Sequence, residues 1–285
     1  MNSIVWFITG ASRGLGLEIT RAALERGDLV VAAARNPQSI VHALGGQERL
    51  LPVALDVTNG LQAEAAVSAA LKRFGRIDVL VNNAGRGLLG AVEEASSEEV
   101  RSVFAVNVDG LLTVTRAVLP SMRERRSGRI LNISSGGGFS GAPGWGVYCA
   151  TKFAVEGLSE SLHAELLPLG IHVTILEPGA FRTDFLDASS LHRTAQVIDD
   201  YSESAGVTRQ RVEPKNHHQL GDPAKAAEAI VAIATAAEPP LRLPLGTDCI
   251  ARVERKLSQV AAEVDKWRTL AGSTDFDNLM KGSAA

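Results

Sequence analysis

Thr9-Gly10-Ala11-Ser12-Arg13-Gly14-Leu15-Gly16 follows directly on the apolar run Ile4–Thr9 and opens a helical pattern that continues to Arg26. Glycines at such a junction allow a tight strand-to-helix turn. They also let backbone N–H groups approach a pyrophosphate at the positive end of the helix. The spacing is Gly-x-x-x-Gly-x-Gly, not the Gly-x-Gly-x-x-Gly of most dinucleotide folds. Glycines make plain turns as well, so the weight comes from position: this loop closes the first βα unit of the chain.

Outward from the loop, short β-branched runs alternate with longer helical patterns. Strands are expected at Ile4–Thr9, Leu29–Ala34, Leu51–Leu55, Val79–Asn82, Arg129–Ile133, Ile171–Leu176 and Leu241–Leu243. Helices are expected at Gly14–Arg26, Asn59–Phe74, Ser97–Arg125, Val147–Leu167 and Pro223–Ala236, the last with Asp222 as its cap. Most strands are apolar throughout, as strands buried on both faces should be. The alternation implies an α/β fold, a Rossmann-type doubly wound parallel sheet of about seven strands with helices on both faces. One domain spans 1–248, and a helical extension and tail occupy 249–285. After Pro178-Gly179 about forty residues pass before the next helix, a length that suits a lid or substrate loop at about 180–221. From Ile250 the apolar residues recur through Val253, Leu257, Val260, Val264 and Trp267, a narrow helical seam expected to pack on the domain's flank. The tail after Leu270 is polar and expected to fray.

A formal charge of −3 over 285 residues offers no basic field for nucleic acid or anionic lipid. Cys149 and Cys249 are too few for a disulfide framework and are expected as buried free thiols, which suits a reducing cytosol. No apolar run reads as long enough to span a bilayer, and Met-Asn-Ser lacks a basic leader, so a cytoplasmic location is expected. The six histidines show no metal-ligand spacing, His217-His218 included, and no metal is expected. Glu93-Glu94 and Glu98-Glu99 read as acids favouring a helix N-terminus.

The second strand carries the cofactor reading. An NAD site wants a carboxylate near that strand's end for the ribose 2′-hydroxyl. Here Val30–Ala34 ends without an acid and Arg35 follows. A 2′-phosphate would be held by a planar guanidinium, and Arg13 in the glycine loop can clasp it from the other side. Together they favour NADP(H).

Tyr148-Cys149-Ala150-Thr151-Lys152 places a phenol and an ammonium one helical turn apart. A free tyrosine titrates near pH ~10, and a fixed cation favours its phenolate. Alone, the pair is equally the edge of an amphipathic helix.

With the glycine loop, Asp56-Val57, Asn82-Asn83-Ala84-Gly85, Asn107, Ser134-Ser135, Tyr148 with Lys152, and Pro178-Gly179 with Thr183, the chain resembles the short-chain dehydrogenase/reductase family in its compact branch, over residues 4 to about 245. The family's serine stands thirteen positions before its tyrosine, which selects Ser135 over Ser134. The resemblance implies that Tyr148 exchanges a proton with the substrate oxygen while Ser135 polarises it. Lys152 would hold the nicotinamide ribose and lower the tyrosine pKa, and Asn107 would position a relay water. Gly10, Ser12, Arg13, Gly14, Leu15, Gly16 and Arg35 would hold the phosphates and Asp56 and Val57 the adenine. Asn83, Ala84 and Gly85 would take the adenosine ribose, and Pro178, Gly179, Phe181 and Thr183 the carboxamide end. Phe181 is bulkier than the family's usual aliphatic residue, which narrows the pocket.

The implied function is reduction of a ketone or aldehyde, or the reverse oxidation, on a small apolar substrate. The pocket is expected from Gly136–Phe139, Pro143–Trp145, Phe185 and the segment to about Leu220. A homo-oligomer, dimer or tetramer, is implied as well. A non-catalytic nucleotide sensor is the alternative, though such a protein typically loses the tyrosine or lysine. An epimerase or dehydratase would carry a different glycine spacing and a longer substrate domain.

Overall fold

The structure is a computed structural model and describes residues 3–276. Its frame is a seven-stranded, wholly parallel sheet. In chain order the strands are β1 (Val5–Thr9), β2 (Leu29–Ala34), β3 (Leu50–Ala54), β4 (Val79–Asn82), β6 (Gly128–Ile133), β7 (Ile171–Pro178) and β9 (Arg242–Leu245). Spatially they run β3-β2-β1-β4-β6-β7-β9, so the order reverses between β1 and β4, where open parallel sheets bind ligands.

Period-two alternation sends Trp6 and Ile8 of β1 to one face and Phe7 to the other. The first face buries Ile19 and Leu24 of α1 (Gly14–Glu25) and Ile230 of α8 (Pro223–Ala234). The second buries Val67 of α3 (Gly60–Phe74) with Val114 and Val118 of α5 (Gly110–Arg125). Leu166, at the end of α6 (Gly146–Leu166), completes that layer. A further short helix, α2 (Gln38–Leu44), buries Ile40.

Four expectations change. The helix foreseen over Ser97–Arg125 is α4 (Ser97–Phe104), a π-helical turn at Ala105–Asp109, and α5. That run is long and apolar enough to cross a membrane by length and composition, contrary to the sequence reading. Its Val103, Val114, Val118 and Met122 are nevertheless buried in the core, where a sheet-covering helix must be apolar too.

The segment after β7 is not a bare loop. It contributes β8 (Leu191–Arg193), which pairs in parallel with β5 (Gly87–Leu89), and a helix, α7 (Val207–Lys215). Three-residue strands are too short to show a period in sequence.

The C-terminal seam is helical, α9 (Thr247–Gly272), but it does not pack on the flank as expected. Leu257, Val264 and Trp267 are all more than half exposed, and Cys249 alone of its residues is buried. The helix touches the domain through β9 and the turn at Gly136–Gly138, then runs free of it. Residues 277–285 of the tail lie outside the described residues.

Candidate active site

At the switch point the glycine loop is stitched to the end of β4. Asn83 donates from Nδ2 to the carbonyls of Thr9 (2.9 Å) and Gly10 (3.1 Å), while Thr9 Oγ1 accepts from the Asn83 and Ala84 amides. Side chains are excluded there. A Cβ on Gly16 would stand 2.4 Å from the Gly10 carbonyl oxygen, and Gly10 has a φ of +64° with Ala84 Cα 3.0 Å from its would-be Cβ. The result is a cradle open to a phosphate at the start of α1.

A crevice of about 970 Å³ extends from this cradle. Gly10, Ser12, Arg13, Gly14, Leu15, Arg35, Asp56, Val57, Asn83, Ala84 and Gly85 line one end. Ser135, Tyr148, Lys152, Pro178, Gly179, Phe181 and Thr183 line the other. Gly16 stands behind the loop and Asn107 behind the lysine, off the lining but in contact with it. Hydrogen bonds from Thr58 hold the Asp56 carboxyl below its usual range, with a smaller pull from Arg35.

Arg13 is placed differently from the sequence reading. Its Nη1 donates to Ser189 Oγ (2.7 Å), and its Nη2 to the Ser189 carbonyl (3.0 Å) and Ser190 Oγ (2.8 Å). The guanidinium thus ties the glycine loop to the segment after β7. Arg35, at the end of β2, makes no hydrogen bond among the described residues.

Ser135 closes β6 and caps the next turn by accepting from Gly137 N at 3.0 Å. Tyr148 and Lys152 stand in the first two turns of α6, both buried. Trp145 and Phe185 wall the phenol, at ring-centroid distances of 5.7 and 5.5 Å. Lys152 Nζ lies 5.8 Å from the Tyr148 ring centroid and donates to the Ile133 carbonyl at 2.8 Å. Asn107 sits in the π-helical turn, a distortion that breaks the helical ladder where a polar side chain is wanted. It donates to Arg86 O and Thr151 Oγ1 and accepts from Arg86 N.

Electrostatics here depart from the expectation of a phenol eased by its lysine. Burial pushes the Tyr148 phenol well above its ordinary value, and a hydrogen bond with Ser135 only partly offsets this. Burial also pulls Lys152 down to about 8, against the opposing pull of Glu156.

Several residues were not legible in sequence. Glu94, read as a helix-end acid, is wholly buried and anchors the far wall: it accepts from Ala91 N (2.6 Å) and Ile198 N (2.9 Å) and pairs with Arg209 of α7. Burial raises its carboxyl, but these donors outweigh burial and leave it below its ordinary value. Glu99 likewise accepts from Ala195 N. Asp184, Asp187 and His217 converge within 4.8 Å, a grouping that sequence spacing does not show. They are half-buried or exposed, and Asp187 is already engaged by Asn216 and His217. Arg252 and Arg255 of α9 reach the substrate end, which no motif announces.

Residues 4–194 match the family model described as short chain dehydrogenase. The chain belongs to the short-chain dehydrogenase family. Among relatives of this short-chain dehydrogenase, Oxidoreductase BOA17 of Botryotinia fuckeliana is 39% identical over 269 residues, covering 94% of this chain and 97% of that protein. A short-chain dehydrogenase from Streptomyces avermitilis superposes with a TM-score of 0.88 at 42% identity, covering 96% and 99% of the two chains.

Solved relatives hold either cofactor. A short-chain dehydrogenase/reductase from Burkholderia phymatum is in complex with NAD (TM-score 0.81, 26% identity, 92% and 95% covered). An alcohol dehydrogenase from Thermococcus sibiricus is complexed with 5-hydroxy-NADP (TM-score 0.70, 28% identity, 86% and 96% covered). This short-chain dehydrogenase is therefore an oxidoreductase for CH–OH or C=O groups with a nicotinamide nucleotide cofactor.

Proposed function

We propose that the chain is an NADP(H)-dependent reductase of a ketone or aldehyde, or the reverse dehydrogenase, with Ser135, Tyr148, Lys152 and Asn107 as its working set. The observation that carries this is the convergence of Ser135, Tyr148 and Lys152 on the crevice that the glycine cradle opens. When bound, the nicotinamide supplies or accepts the hydride. The rest falls to the chain. The Tyr148 hydroxyl passes its proton to the substrate oxygen, and Ser135 donates to the same oxygen and polarises it. A phenol kept protonated by burial suits the reductive direction. Lys152 holds the ribose and places a positive charge behind the phenol, and Asn107, fixed on the Arg86 backbone, positions the water through which Lys152 exchanges protons with solvent. Asp56 and Val57 flank the adenine, Asn83 to Gly85 the adenosine ribose, and Phe181 to Thr183 the carboxamide.

Arg35 supports NADP(H), because no acid follows β2 and its guanidinium is uncommitted among the described residues. Arg13 can join it only by exchanging its serine partners for a phosphate. The sensor alternative fits less well, since all four positions are filled. Free, buried Cys149 and Cys249 fit a reducing, cytoplasmic setting, and the exposed stripe of α9 suits a homo-oligomer.

The test is a panel of carbonyl compounds followed by nicotinamide absorbance with each cofactor. NADPH is expected to outperform NADH at equal concentration, and Arg35→Ala to weaken NADPH ~10-fold or more while sparing NADH. A wild type that prefers NADH would refute the phosphate reading.

A further inference from the structure

The substrate end of the crevice is walled by α9, an element outside the sheet. Its first turn is pinned in place. Cys249 is buried with its Sγ 3.1 Å from where a Cβ on Gly136 would stand, and Asp248 accepts from Ala180 N at 2.8 Å. One turn on, Arg252 lies against the same backbone, its Cδ 3.3 Å from that Gly136 position, immediately beside Ser135. Arg255 follows three residues later on the same helical face, and both guanidinium-bearing side chains line the crevice.

Apart from Arg35 at the cofactor end, the other arginines of this region are spoken for. Arg13 binds Ser189 and Ser190, Arg86 binds Ser102, Arg182 binds the Gln219 carbonyl, and Arg209 binds Glu94. Among the described residues, the guanidinium groups of Arg252 and Arg255 form no ion pair and no hydrogen bond. Asp248, one turn before Arg252, spends its carboxylate on Ala180 N instead. Arg252 is half-buried and Arg255 exposed, so the pair sits at the mouth of the crevice with its charge open to an incoming anion. The same crevice is lined by the apolar side chains of Trp145, Phe185 and Leu186.

We infer that Arg252 and Arg255 form an anion subsite, and that the carbonyl substrate is an apolar body bearing a carboxylate or a phosphate ester. This rests on the reductase reading of Tyr148 and Ser135, and it narrows the apolar substrate expected from sequence to an amphiphilic acid. Two planar forks three residues apart can grip either anion in bidentate fashion.

The experiment compares benzoylpropionate with its methyl ester, and phenacyl phosphate with phenacyl alcohol, in NADPH-dependent reduction and in calorimetric binding to the NADPH complex. The wild type should favour one anion over its neutral partner by about 10- to 100-fold in kcat/KM, the worth of a charge-assisted pair. The larger of the two ratios assigns carboxylate or phosphate. Arg252→Ala/Arg255→Ala should abolish the preference, while its ester turnover and NADPH affinity stay within about twofold, and Arg252→Lys should keep part of it. Equal use of acid and ester by the wild type, or an undiminished preference in the double variant, would overturn the subsite. So would a fall in NADPH affinity, which would assign these arginines to the cofactor. Calorimetry needs no turnover. An anion preference in binding without reduction of any ketone would sustain the subsite and sink the reductase reading alone.

Discussion

Strand β1 and the segment from Ala180 to Gly221 face the same crevice but are secured by different forces. Every residue of β1 is buried between parallel neighbours, so the cofactor end rests on apolar packing and a continuous backbone ladder. The segment buries few of its own residues. Beside the short β5–β8 pairing and a small apolar cluster of Leu89, Leu191 and Val212, it is held by polar ties from outside: Glu94 to Ile198 and Arg209, Glu99 to Ala195, and Arg13 to Ser189 and Ser190. Packing secures a site that must stay the same for one cofactor. A few strong polar anchors secure a wall that can diverge or loosen for different substrates without disturbing the sheet.

Anchors of global reach would erase this difference. Glu94→Ala leaves Arg209 and two amides without their acceptor, an effect on the order of 3–5 kcal/mol if felt fully. Its expected reach is local. Hydrogen exchange should speed up across residues 195–215, and the KM for carbonyl substrate should rise ~100-fold or more, with NADPH affinity kept. Uniform unfolding would mean that the segment is part of the frame. Acid should mimic this change. The Glu94 carboxyl titrates below its unfolded value of 4.5, so its support is complete above that value and is lost as pH falls through the lower folded one.

Arg13→Ala sharpens the contrast with a smaller effect. It removes three hydrogen bonds that join the two regions, and with NADH, which has no 2′-phosphate, it should raise the carbonyl KM by ~5–10-fold. An unchanged KM would reduce the tie to a surface contact.

What the sequence revealed follows the same division. Strands buried on both faces announce themselves as apolar runs, so the sheet and its order of elements were legible. The glycine loop and the Tyr148–Lys152 pair were legible because their spacing is local. Glu94 and Arg209 lie 115 residues apart, and no local pattern marks either as an anchor. The π-helical turn at Asn107 left no trace because one extra residue in a helical turn carries no composition of its own. The exposed stripe of α9 has the period of a packed helix, and periodicity cannot say whether a partner surface exists in the same chain.

The smallest effect concerns the frame itself. Glu177, at the end of β7, is fully buried, and burial raises its carboxyl to about 7, with Glu156 adding to the rise and Arg242 opposing it. Because the folded value lies above the unfolded one, native protein holds the proton longer. Its ionisation therefore erodes stability as pH climbs from about 4.5 through 7. Glu177→Gln should raise Tm by ~2–4 °C at pH 8 and change it little at pH 5. An equal shift at both pH values would mean that the carboxyl is already paired as an ion.

Tyr148 is proposed to carry the proton at the meeting point of these two regions. Tyr148→Phe keeps the ring between Trp145 and Phe185 and removes only the hydroxyl. Turnover of the best carbonyl substrate found with NADPH, measured beside calorimetric NADPH binding, should fall by ~10²–10⁴-fold while cofactor affinity stays within a few-fold. Turnover equal to that of the wild type would contradict the account.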